Sequence, residues 1–430
     1  MLNSLAYLEG LKQRGIHLGL GPISRLLGRL HNPQDAYKTI LIGGTNGKGS
    51  TAAILSSILI KEGLRVGLYT SPHLCDFRER IRVNGCMIES DILAGLIEKI
   101  RAKTDEDITY YEYATALAFL HFSQCAVDIA VLEVGMGGRL DATNLVSPRV
   151  SIITNVSLEH QEYLGRDLRS IAREKGGIIR EGGLCITAST KRTVIDTLQD
   201  ICHQKGGTLY RIGREIRVRR SPRGSFSYTG IHKRYTGLTL SLVGRHQITN
   251  AALAIGAVDL LSEKGMGISD TSVLEGLRDA RWEGRLELIA RDPRVVVDGA
   301  HNPAGIATLR EALLSDFTYR RLIVVFGALR DKDCAGMLKR ILPLADMLIL
   351  TRPKEGRAAS TGDLVSTVES RYLRHVEIVE DSGEALARAR SLAGRDDLIC
   401  VAGSLYLVGE IKRSEAERES AGHETRMWRP

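Results

Sequence analysis

The sequence predicts an α/β protein with two domains, each built on a mostly parallel β-sheet. Three observations support this fold class. First, short apolar runs alternate with amphipathic segments along the chain, which is the pattern of a parallel sheet covered by helices. Second, Gly and Pro interrupt this alternation within residues 282–293, and it starts again near Val295. Third, the chain has 430 residues, which is more than one hydrophobic core usually organises.

Each part of the chain supplies its own series of candidate elements. In the first part, the predicted strands are residues 39–44, 66–72, 128–134, 151–156 and 184–189. Predicted helices lie between them, around residues 90–102, 111–124 and 167–180. Short alternations then predict a small antiparallel insert over residues 210–230. The second series of predicted strands lies within residues 294–300, 321–328, 346–352, 375–380 and 397–404.

The composition is that of a globular protein from a reducing compartment. Hydrophobic residues make up 43% and charged residues 26% of the chain, which argues against wholesale disorder. The formal net charge of +8 is spread without a dense basic run, so it suits small anionic substrates at least as well as nucleic acid. The seven cysteines contain no C-x-x-C pair, so neither a disulfide framework nor a zinc site is supported. This favours a reducing compartment such as the cytoplasm. Neither a signal peptide nor a membrane span is predicted.

A glycine-rich loop, GGTNGKGS, follows the first predicted strand at residues 43–50. Strand, loop and helix in this order form a phosphate-binding loop, because the glycines let backbone N–H groups turn toward the phosphates. Lys48 would reach the β and γ phosphates as a point charge. Gly49, however, stands where Ser or Thr normally holds Mg²⁺, so the hydroxyl must come from elsewhere, with Ser50 and Ser71 as candidates. The plainer alternative is a glycine-rich turn that caps a helix.

Three further residues are candidates for chemistry, although each has a plainer explanation. Glu133 lies near the carboxyl end of an apolar strand, where ligands of open α/β sheets collect, and a carboxylate there is costly unless it is paired or bound to a cation. A lone histidine such as His160 is more often a hydrogen-bonded structural residue than a metal ligand. Lys175 lies on an amphipathic helix, where a solvated salt bridge with Glu174 or Asp167 would explain it.

Together these motifs resemble the folylpolyglutamate synthase/dihydrofolate synthase family, within the Mur ligase superfamily of ATP-dependent amide-bond-forming enzymes. The resemblance covers most of the chain and rests on GGTNGKGS, TSPHL, RIRVNG, EVGMGGRLDATN, REKGGI, GRHQITNAALA, GRLE, DGAHNP and GSLYLVGE. It implies a P-loop ATP-binding domain of the Mur-ligase type over residues 1–287, followed by a smaller Rossmann-like α/β domain over residues 288–412. The charged residues 413–430 are then predicted to be a disordered tail.

The resemblance also implies a role for each candidate residue. Ser71, Glu133 and His160 match the Mg²⁺ ligands of the family, and Lys175 matches a lysine that is carbamylated and steadies a second Mg²⁺. The implied catalytic residues are Lys48, Lys175 and His301. The implied ATP-binding residues are Asn46, Gly47, Lys48, Gly49, Ser50, Asn250, Arg285 and Asp298. The implied dihydropteroate-binding residues are Thr109, Tyr110, Tyr111, Glu112, Leu140, Asp141 and Ala142.

Three positions depart from the family pattern. Glu159 stands where Asp usually precedes the metal-site histidine, Glu283 where Pro is common, and Gly177 where Ala is common. None of these changes removes a proposed ligand, but Glu159 could shift the geometry around His160. His301 could either orient groups near the reacting centre or cap the turn in which it lies.

The activity implied by the resemblance is the addition of L-glutamate to dihydropteroate and to tetrahydrofolate or its polyglutamates. The reaction would use ATP and two Mg²⁺ ions, pass through an acyl phosphate, and release ADP and phosphate. A monomer without nucleic-acid or membrane partners is expected. The alternatives are a monofunctional folylpolyglutamate synthase, another Mur-type amino-acid ligase or a nucleotide-binding module. A nucleic-acid ATPase is less well supported, because no basic–aromatic groove pattern is present.

Overall fold

The computed structural model describes residues 2–104, 108–221 and 224–427. The chain divides into two compact units, and each unit is made of three segments. The segments of the first unit are Met1–His73, Phe77–Ser241 and His246–Arg281. Those of the second are Leu74–Asp76, Leu242–Arg245 and Trp282–Pro430. By this division the main segment of the second unit begins at Trp282, a little earlier than the predicted domain limit at residue 288.

The first unit is built on an eight-stranded sheet. Its strands are β1 (Lys38–Gly43), β2 (Val66–Tyr69), β3 (Ile81–Val83), β4 (Cys86–Met87), β5 (Ile129–Glu133), β6 (Val150–Ile153), β7 (Leu184–Thr187) and β8 (Thr208–Arg211). Their order across the sheet is β4-β3-β2-β5-β1-β6-β7-β8. Neighbouring strands are parallel along β2-β5-β1-β6-β7-β8, whereas the β2-β3 and β3-β4 pairs are antiparallel. The five strands predicted in this region are therefore confirmed. They appear as continuous apolar runs because both faces of the central strands are buried.

Ten helices accompany this sheet in the described part of the chain. They are α1 (Leu2–Gly10), α2 (Gly21–Arg29), α3 (Lys48–Lys61), α4 (Ser90–Arg101), α5 (Tyr110–Gln124), α6 (Gln161–Leu164), α7 (Leu168–Gly176), α8 (Arg192–Gln204), α9 (Arg245–Glu263) and α10 (Asp270–Asp279). Short 3₁₀ helices lie at Leu11–Arg14, Pro33–Asp35, Phe77–Arg80 and Ala142–Leu145. The predicted helices around residues 90–102 and 111–124 are confirmed as α4 and α5. The third prediction, residues 167–180, corresponds to the shorter α7.

A separate three-stranded antiparallel sheet follows, as the sequence predicts. Its strands are β9 (Arg217–Arg220), β10 (Phe226–Thr229) and β11 (Arg234–Leu238), in the order β11-β10-β9. Phe226 and Tyr228 are buried, whereas the residues between and after them are only partly buried. This alternation is expected for strands with one covered face, because successive side chains point to opposite sides of a sheet.

The second unit contains a six-stranded sheet. Its strands are β12 (Glu287–Arg291), β13 (Arg294–Val297), β14 (Leu322–Phe326), β15 (Met347–Leu350), β16 (Val376–Ile378) and β17 (Leu398–Ala402). The order is β12-β13-β17-β14-β15-β16, with β12 antiparallel and the others parallel. Its helices are α11 (Pro303–Ser315), α12 (Cys334–Ile341), α13 (Thr361–Ser366), α14 (Ser382–Leu392), α15 (Leu405–Met427) and a 3₁₀ helix (Ser370–His375). The second predicted series of strands is confirmed, with β12 added at one edge.

The disorder predicted for residues 413–430 stays a prediction, and the structure continues the last helix into this segment. Helix α15 runs on to Met427, so it includes residues 413–427, and residues 428–430 lie outside the described residues. Glu415 pairs with Arg390 of α14 and lies 3.6 Å from Arg418 within α15. Because a helix is extended more easily than it is nucleated, an apolar first half and such ion pairs can carry a charged segment in helical form.

The cysteines are free thiols, in agreement with the sequence analysis. Cys185, Cys202 and Cys400 are buried and pack as small apolar side chains in the cores of the two units. Within the described ranges, no helix combines the length and the apolar character needed to cross a bilayer.

Candidate active site

The predicted phosphate-binding loop joins β1 to α3 at the carboxyl edge of the eight-stranded sheet. Gly47 has φ +87° and directly precedes the first residue of α3. A Cβ atom on Gly47 would lie 2.5 Å from Asn250 Oδ1, so a larger residue would displace that amide. The Nζ of Lys48 donates a hydrogen bond to the carbonyl oxygen of Thr45 at 3.2 Å. The first N–H groups of α3 and this ammonium together form a site that suits an anion.

The residues after β6 hold the loop from one side. Asn155 Oδ1 accepts a hydrogen bond from Asn46 N, and Asn155 Nδ2 donates one to Asn46 O, both at 3.0 Å. Thr154 Oγ1 donates to the same carbonyl oxygen at 2.7 Å. Thr154 and Asn155 are not among the predicted site residues, although polar residues at the carboxyl end of a buried strand are a usable signal. They fix the backbone of the loop to the sheet.

Helix α9 holds the loop from the other side. Asn250 Nδ2 donates to Gln247 Oε1 at 2.9 Å, which turns Asn250 Oδ1 toward Gly47. Both amide residues are buried, and Gln247 is also absent from the predicted set. Within α3, Gly49 and Ser50 are buried in the first turn. The structure therefore brings the predicted loop and Asn250 together, and their contact with ATP stays a prediction.

Glu133 and Ser71 lie together at the ends of β5 and β2. Ser71 N donates to Glu133 Oε2 at 3.1 Å, and Lys48 Nζ lies 3.9 Å from Glu133 Oε1. Glu133 is only 5% exposed, so its carboxylate has lost most of its water and the nearby ammonium offsets its charge. Carboxylate and hydroxyl oxygens are ligands that Mg²⁺ prefers, and Mg²⁺ usually keeps several waters. These two residues therefore fit a magnesium ion.

His160 is exposed and directly precedes α6. Its φ of 44° and ψ of 42° are left-handed, a conformation that is costly for a residue other than glycine and is often found at functional positions. Across the described residues, no three His, Cys, Asp or Glu side chains form a group that could hold a metal ion. The structure therefore joins Ser71 with Glu133, whereas the role of His160 as a ligand stays a prediction.

Lys175 is buried, with 1% of the residue exposed. Its Nζ donates to Glu159 Oε1 at 2.6 Å and to Gly44 O at 2.9 Å. Burial lowers the pKa of Lys175, and the charge of Glu159 offsets only part of this shift. Burial would raise the pKa of Glu159, but the positive charges of Lys175 and Lys48 outweigh it and hold that pKa below its usual value.

The solvated salt bridge that the helical pattern suggested for Lys175 is wrong. Glu174 pairs instead with Arg139, whose Nη2 lies 3.0 Å from Glu174 Oε1. Asp167 caps α7 by accepting a hydrogen bond from Ser170 N at 2.9 Å. The sequence pattern suggested Glu174 and Asp167 because they are near Lys175 in sequence. The partner in the structure, Glu159, lies in the loop before α6.

Thr109 and Glu112 form a capping box at the start of α5. Thr109 Oγ1 accepts a hydrogen bond from Glu112 N at 3.3 Å, and Glu112 Oε2 accepts one from Thr109 N at 2.9 Å. Tyr110 follows, with its ring edge-on to Phe77 at a centroid distance of 6.2 Å. Thr109 and Glu112 thus have a structural role, and their predicted contact with dihydropteroate stays a prediction.

Tyr111 connects Asp141, another predicted dihydropteroate-binding residue, to Glu133 of the predicted metal site. Its hydroxyl donates to Glu133 O and to Asp141 Oδ1, each at 3.4 Å. Burial raises the pKa of Asp141, although hydrogen bonds from a neighbouring hydroxyl and backbone N–H groups act against this shift. Burial also raises the pKa of the Tyr111 hydroxyl. Leu140 is partly buried and Ala142 is buried on either side of Asp141.

In the second unit, the three predicted residues gather around Gly299. Asp298 Oδ2 accepts a hydrogen bond from Leu286 N at 3.0 Å, and its Oδ1 accepts one from a second backbone N–H group. His301 Nδ1 lies 2.9 Å from Gly299 O, so Nδ1 carries the proton and Nε2 accepts hydrogen bonds in the neutral ring. A Cβ atom on Gly299 would clash with Arg285 Nη1, which lies directly against this turn.

Comparison with known families and proteins gives matches along nearly the whole chain. Residues 42–258 match the Mur ligase middle domain, and residues 284–405 match the family described as Mur ligase, glutamate ligase domain. The chain is 33% identical to the dihydrofolate synthase/folylpolyglutamate synthase of Bacillus subtilis over 95% of this chain and 97% of that protein. It is 37% identical, over 94% of its length, to a probable bifunctional folylpolyglutamate synthase/dihydropteroate synthase of Halobacterium salinarum, but spans only 50% of that relative.

Solved structures with the same fold contain nucleotides and substrates. FolC of Escherichia coli in complex with DHPP and ADP superimposes with a TM-score of 0.90 at 31% identity, covering 97% of this chain and 98% of that one. A bifunctional folylpolyglutamate synthase/dihydrofolate synthase with Mn, AMPPNP and L-glutamate bound has a TM-score of 0.87 at 31% identity, covering 96% and 97% of the two chains. The two-domain fold predicted from the sequence is confirmed.

Proposed function

Because the chain belongs to the folylpolyglutamate synthase/dihydrofolate synthase family of Mur ligases, we propose that it is an ATP-dependent, ADP-forming ligase. It adds L-glutamate to dihydropteroate and to tetrahydrofolate or its polyglutamates. The observation that carries this proposal is the placement of Lys48, Glu133 and Ser71 at one edge of the sheet. Tyr111 and Asp141, from the predicted acceptor residues, adjoin the same Glu133.

The chemistry explains why a phosphate loop and an acceptor site must be neighbours. A carboxylate does not condense with an amine in water, so one of its oxygens first attacks the γ-phosphorus of ATP and ADP leaves. The amine of glutamate then attacks the acyl carbon, loses a proton, and displaces phosphate. Phosphoryl transfer depends chiefly on positioning and charge neutralisation. We assign the phosphates to Lys48 and the N–H groups of residues 46–50, where the hydrogen bonds between Asn46 and Thr154 and Asn155 hold the loop in place.

The metal ligands in this proposal are Ser71, Glu133 and His160. When bound, Mg²⁺ supplies positive charge that offsets the charge of the phosphates and the incoming carboxylate. Glu133 then binds metal and does not transfer protons. Its hydrogen bond from Ser71 N and its closeness to Lys48 hold the carboxylate in place before the metal arrives.

Lys175 has a separate role in the proposal, as the carbamylated lysine that steadies a second Mg²⁺. Its lowered pKa supports this role, because carbamylation requires the neutral amine. In the second unit, Arg285 and Asp298 bind ATP, and His301 acts near the reacting groups. The remaining acceptor-binding residues are Thr109, Tyr110, Glu112, Leu140 and Ala142. We also expect a monomer in the cytoplasm.

The first test is acceptor-dependent ADP release by the purified full chain. Mg²⁺-ATP and L-glutamate are supplied with dihydropteroate or tetrahydrofolate in separate reactions, and products are identified by mass. Turnover with both acceptors supports the bifunctional enzyme, and turnover with one assigns the chain to that activity. Lys48→Ala is the matched control and should lose at least about 100-fold in rate. If neither acceptor raises ADP release above the control without acceptor, the proposed function is wrong.

A further inference from the structure

Arg80 is a buried arginine that has no carboxylate partner in the described part of the chain. Only 7% of the residue is exposed, and it ends the 3₁₀ helix Phe77–Arg80 at the beginning of β3. A charge removed from water is costly unless an opposite charge or several hydrogen bonds replace the water. Arg80 is not among the residues predicted for the site.

Aromatic rings and one histidine surround the guanidinium group. Its central carbon lies 5.8 Å from the ring centroid of Phe77 and 5.4 Å from that of Tyr110. Its Nε donates a hydrogen bond to His73 Nδ1 at 2.8 Å. Contact with aromatic faces offsets only part of the cost of burying an ion.

Among the described residues, none accepts a hydrogen bond from Nη1 or Nη2 of Arg80. Of its five N–H donors, His73 takes the one on Nε, and the four on Nη1 and Nη2 bond to none of the described residues. The neighbouring Arg78 differs in this respect, because its Nη1 donates to Ser90 Oγ at 3.0 Å. Arg82 also bonds through Nε, to Glu79 O at 3.2 Å, but it is only partly buried. A planar pair of amino groups of this kind matches a carboxylate in bidentate geometry.

The position of Arg80 identifies the ligand class. Tyr110, which contacts the guanidinium, is one of the predicted acceptor residues. The next residue, Tyr111, reaches Glu133 through its hydroxyl, and its ring lies 6.2 Å from that of Tyr69. Arg80 therefore lies next to residues that are proposed to bind the acceptor. Every acceptor of this reaction carries a carboxylate.

We propose that Arg80 binds a carboxylate of the acceptor through Nη1 and Nη2, an inference that rests on the proposed function. Two carboxylates have the required chemistry. One is the carboxylate that reacts, which dihydropteroate and tetrahydrofolate both present. The other is the α-carboxylate of a glutamate that tetrahydrofolate already carries and dihydropteroate lacks. In either case Arg80 sets the preference of the site for an anionic acceptor.

A binding cycle with matched ligands separates this role from a structural one. Wild type and Arg80→Met are titrated with dihydropteroate and its methyl ester, and with tetrahydrofolate and its α-amide. Methionine keeps the apolar contact with the rings and removes every donor. Wild type should prefer the free carboxylate by about 10- to 100-fold, and Arg80→Met should bind the paired ligands about equally. Arg82→Met is the control, since it removes a nearby charge and should keep the wild-type preference.

Each outcome supports or overturns the proposal. Lost preference in the dihydropteroate pair assigns Arg80 to the reacting carboxylate, and loss in the tetrahydrofolate pair alone assigns it to the α-carboxylate. An unchanged preference in Arg80→Met overturns the proposal while the proposed function stands. Wild type that binds neither acceptor overturns both. Should Arg80→Met fail to fold, Arg80→Lys keeps the positive charge but lacks the planar pair of amino groups. An undiminished preference of this variant for the free carboxylate also overturns bidentate binding.

Discussion

The ammonium group of Lys175 lies between Glu159 Oε1, at 2.6 Å, and the carbonyl oxygen of Gly44, at 2.9 Å. This contact joins helix α7 to the phosphate-binding loop through a single buried charge. In the unmodified protein, Glu159 and Lys175 neutralise each other. Carbamylation of Lys175 would instead place two negative groups side by side, and like charges in a buried site are unfavourable without a cation. The modification and the metal are therefore expected to depend on each other.

We expect ligase activity to depend on dissolved CO₂. Protein exchanged into CO₂-free buffer should lose activity, and bicarbonate should restore it, because the lowered pKa of Lys175 leaves more of its amine neutral and able to react. Lys175→Arg cannot form the carbamate and should lose about 10- to 100-fold in rate. Lys61→Arg, at an ion pair with Asp279, is the control. Full activity of the wild type without CO₂ would rule out a carbamate requirement.

Two glycines with nearly the same backbone angle should respond differently to substitution. Gly47 and Gly63 have φ of +87° and +85°, but a Cβ atom meets Asn250 at Gly47 and open space at Gly63. Gly63→Ala should cost about 1–2 kcal/mol of unfolding free energy and leave the affinity for ADP unchanged. Gly47→Ala should also displace Asn250 and weaken ADP binding by about 100-fold. Calorimetric titration with ADP and urea unfolding measure both effects; equal ADP affinity in the two variants would contradict the close packing.

Removing the charge of Glu133 should raise the requirement for magnesium. Glu133→Gln keeps an oxygen that can accept the hydrogen bond from Ser71 N, so the fold should persist. The rate at limiting Mg²⁺ should fall by about 100-fold and recover partly as Mg²⁺ is raised. Glu174→Gln, at an exposed pair with Arg139, should change neither value. An unchanged Mg²⁺ titration in Glu133→Gln would remove this residue from the metal site.

Acid should destabilise the second unit through Asp397. This carboxylate is buried and accepts hydrogen bonds from Arg321 Nη2 at 2.6 Å and from Gly394 N at 2.8 Å, which hold its pKa below the usual value of about 4. Because the folded pKa is the lower one, its stabilising contribution is complete above about pH 4 and is lost as the pH falls through the folded pKa.

Asp397→Asn should therefore lose about 1–3 kcal/mol of unfolding free energy at pH 7 and less at pH 3. Urea unfolding at the two pH values measures this. Asp196→Asn, which breaks an exposed pair with Arg192, should change stability by less than about 0.5 kcal/mol at either pH. An equal loss for Asp397→Asn at both pH values would show that packing, and not the charge, explains its effect.

Most of the fold could be predicted because its signals are local. The apolar runs of β1 and β5 and the glycine-rich loop at residues 43–50 each occupy a few consecutive positions, and period and composition suffice to recognise them. Charge patterns were less reliable. The helical pattern suggested a salt bridge of Lys175 with Glu174 or Asp167, but the partner of Lys175 is Glu159.

The sequence by itself determined the two α/β domains, the phosphate-binding loop and the family, because these follow from short patterns. Only the tertiary structure decided which charges meet. Lys175 is paired with Glu159, not with its sequence neighbour Glu174, and Arg80 lies buried between rings without an ion pair in the described ranges. Ion pairing and burial depend on residues that are distant in sequence and are brought together by packing, and no local pattern encodes such distances.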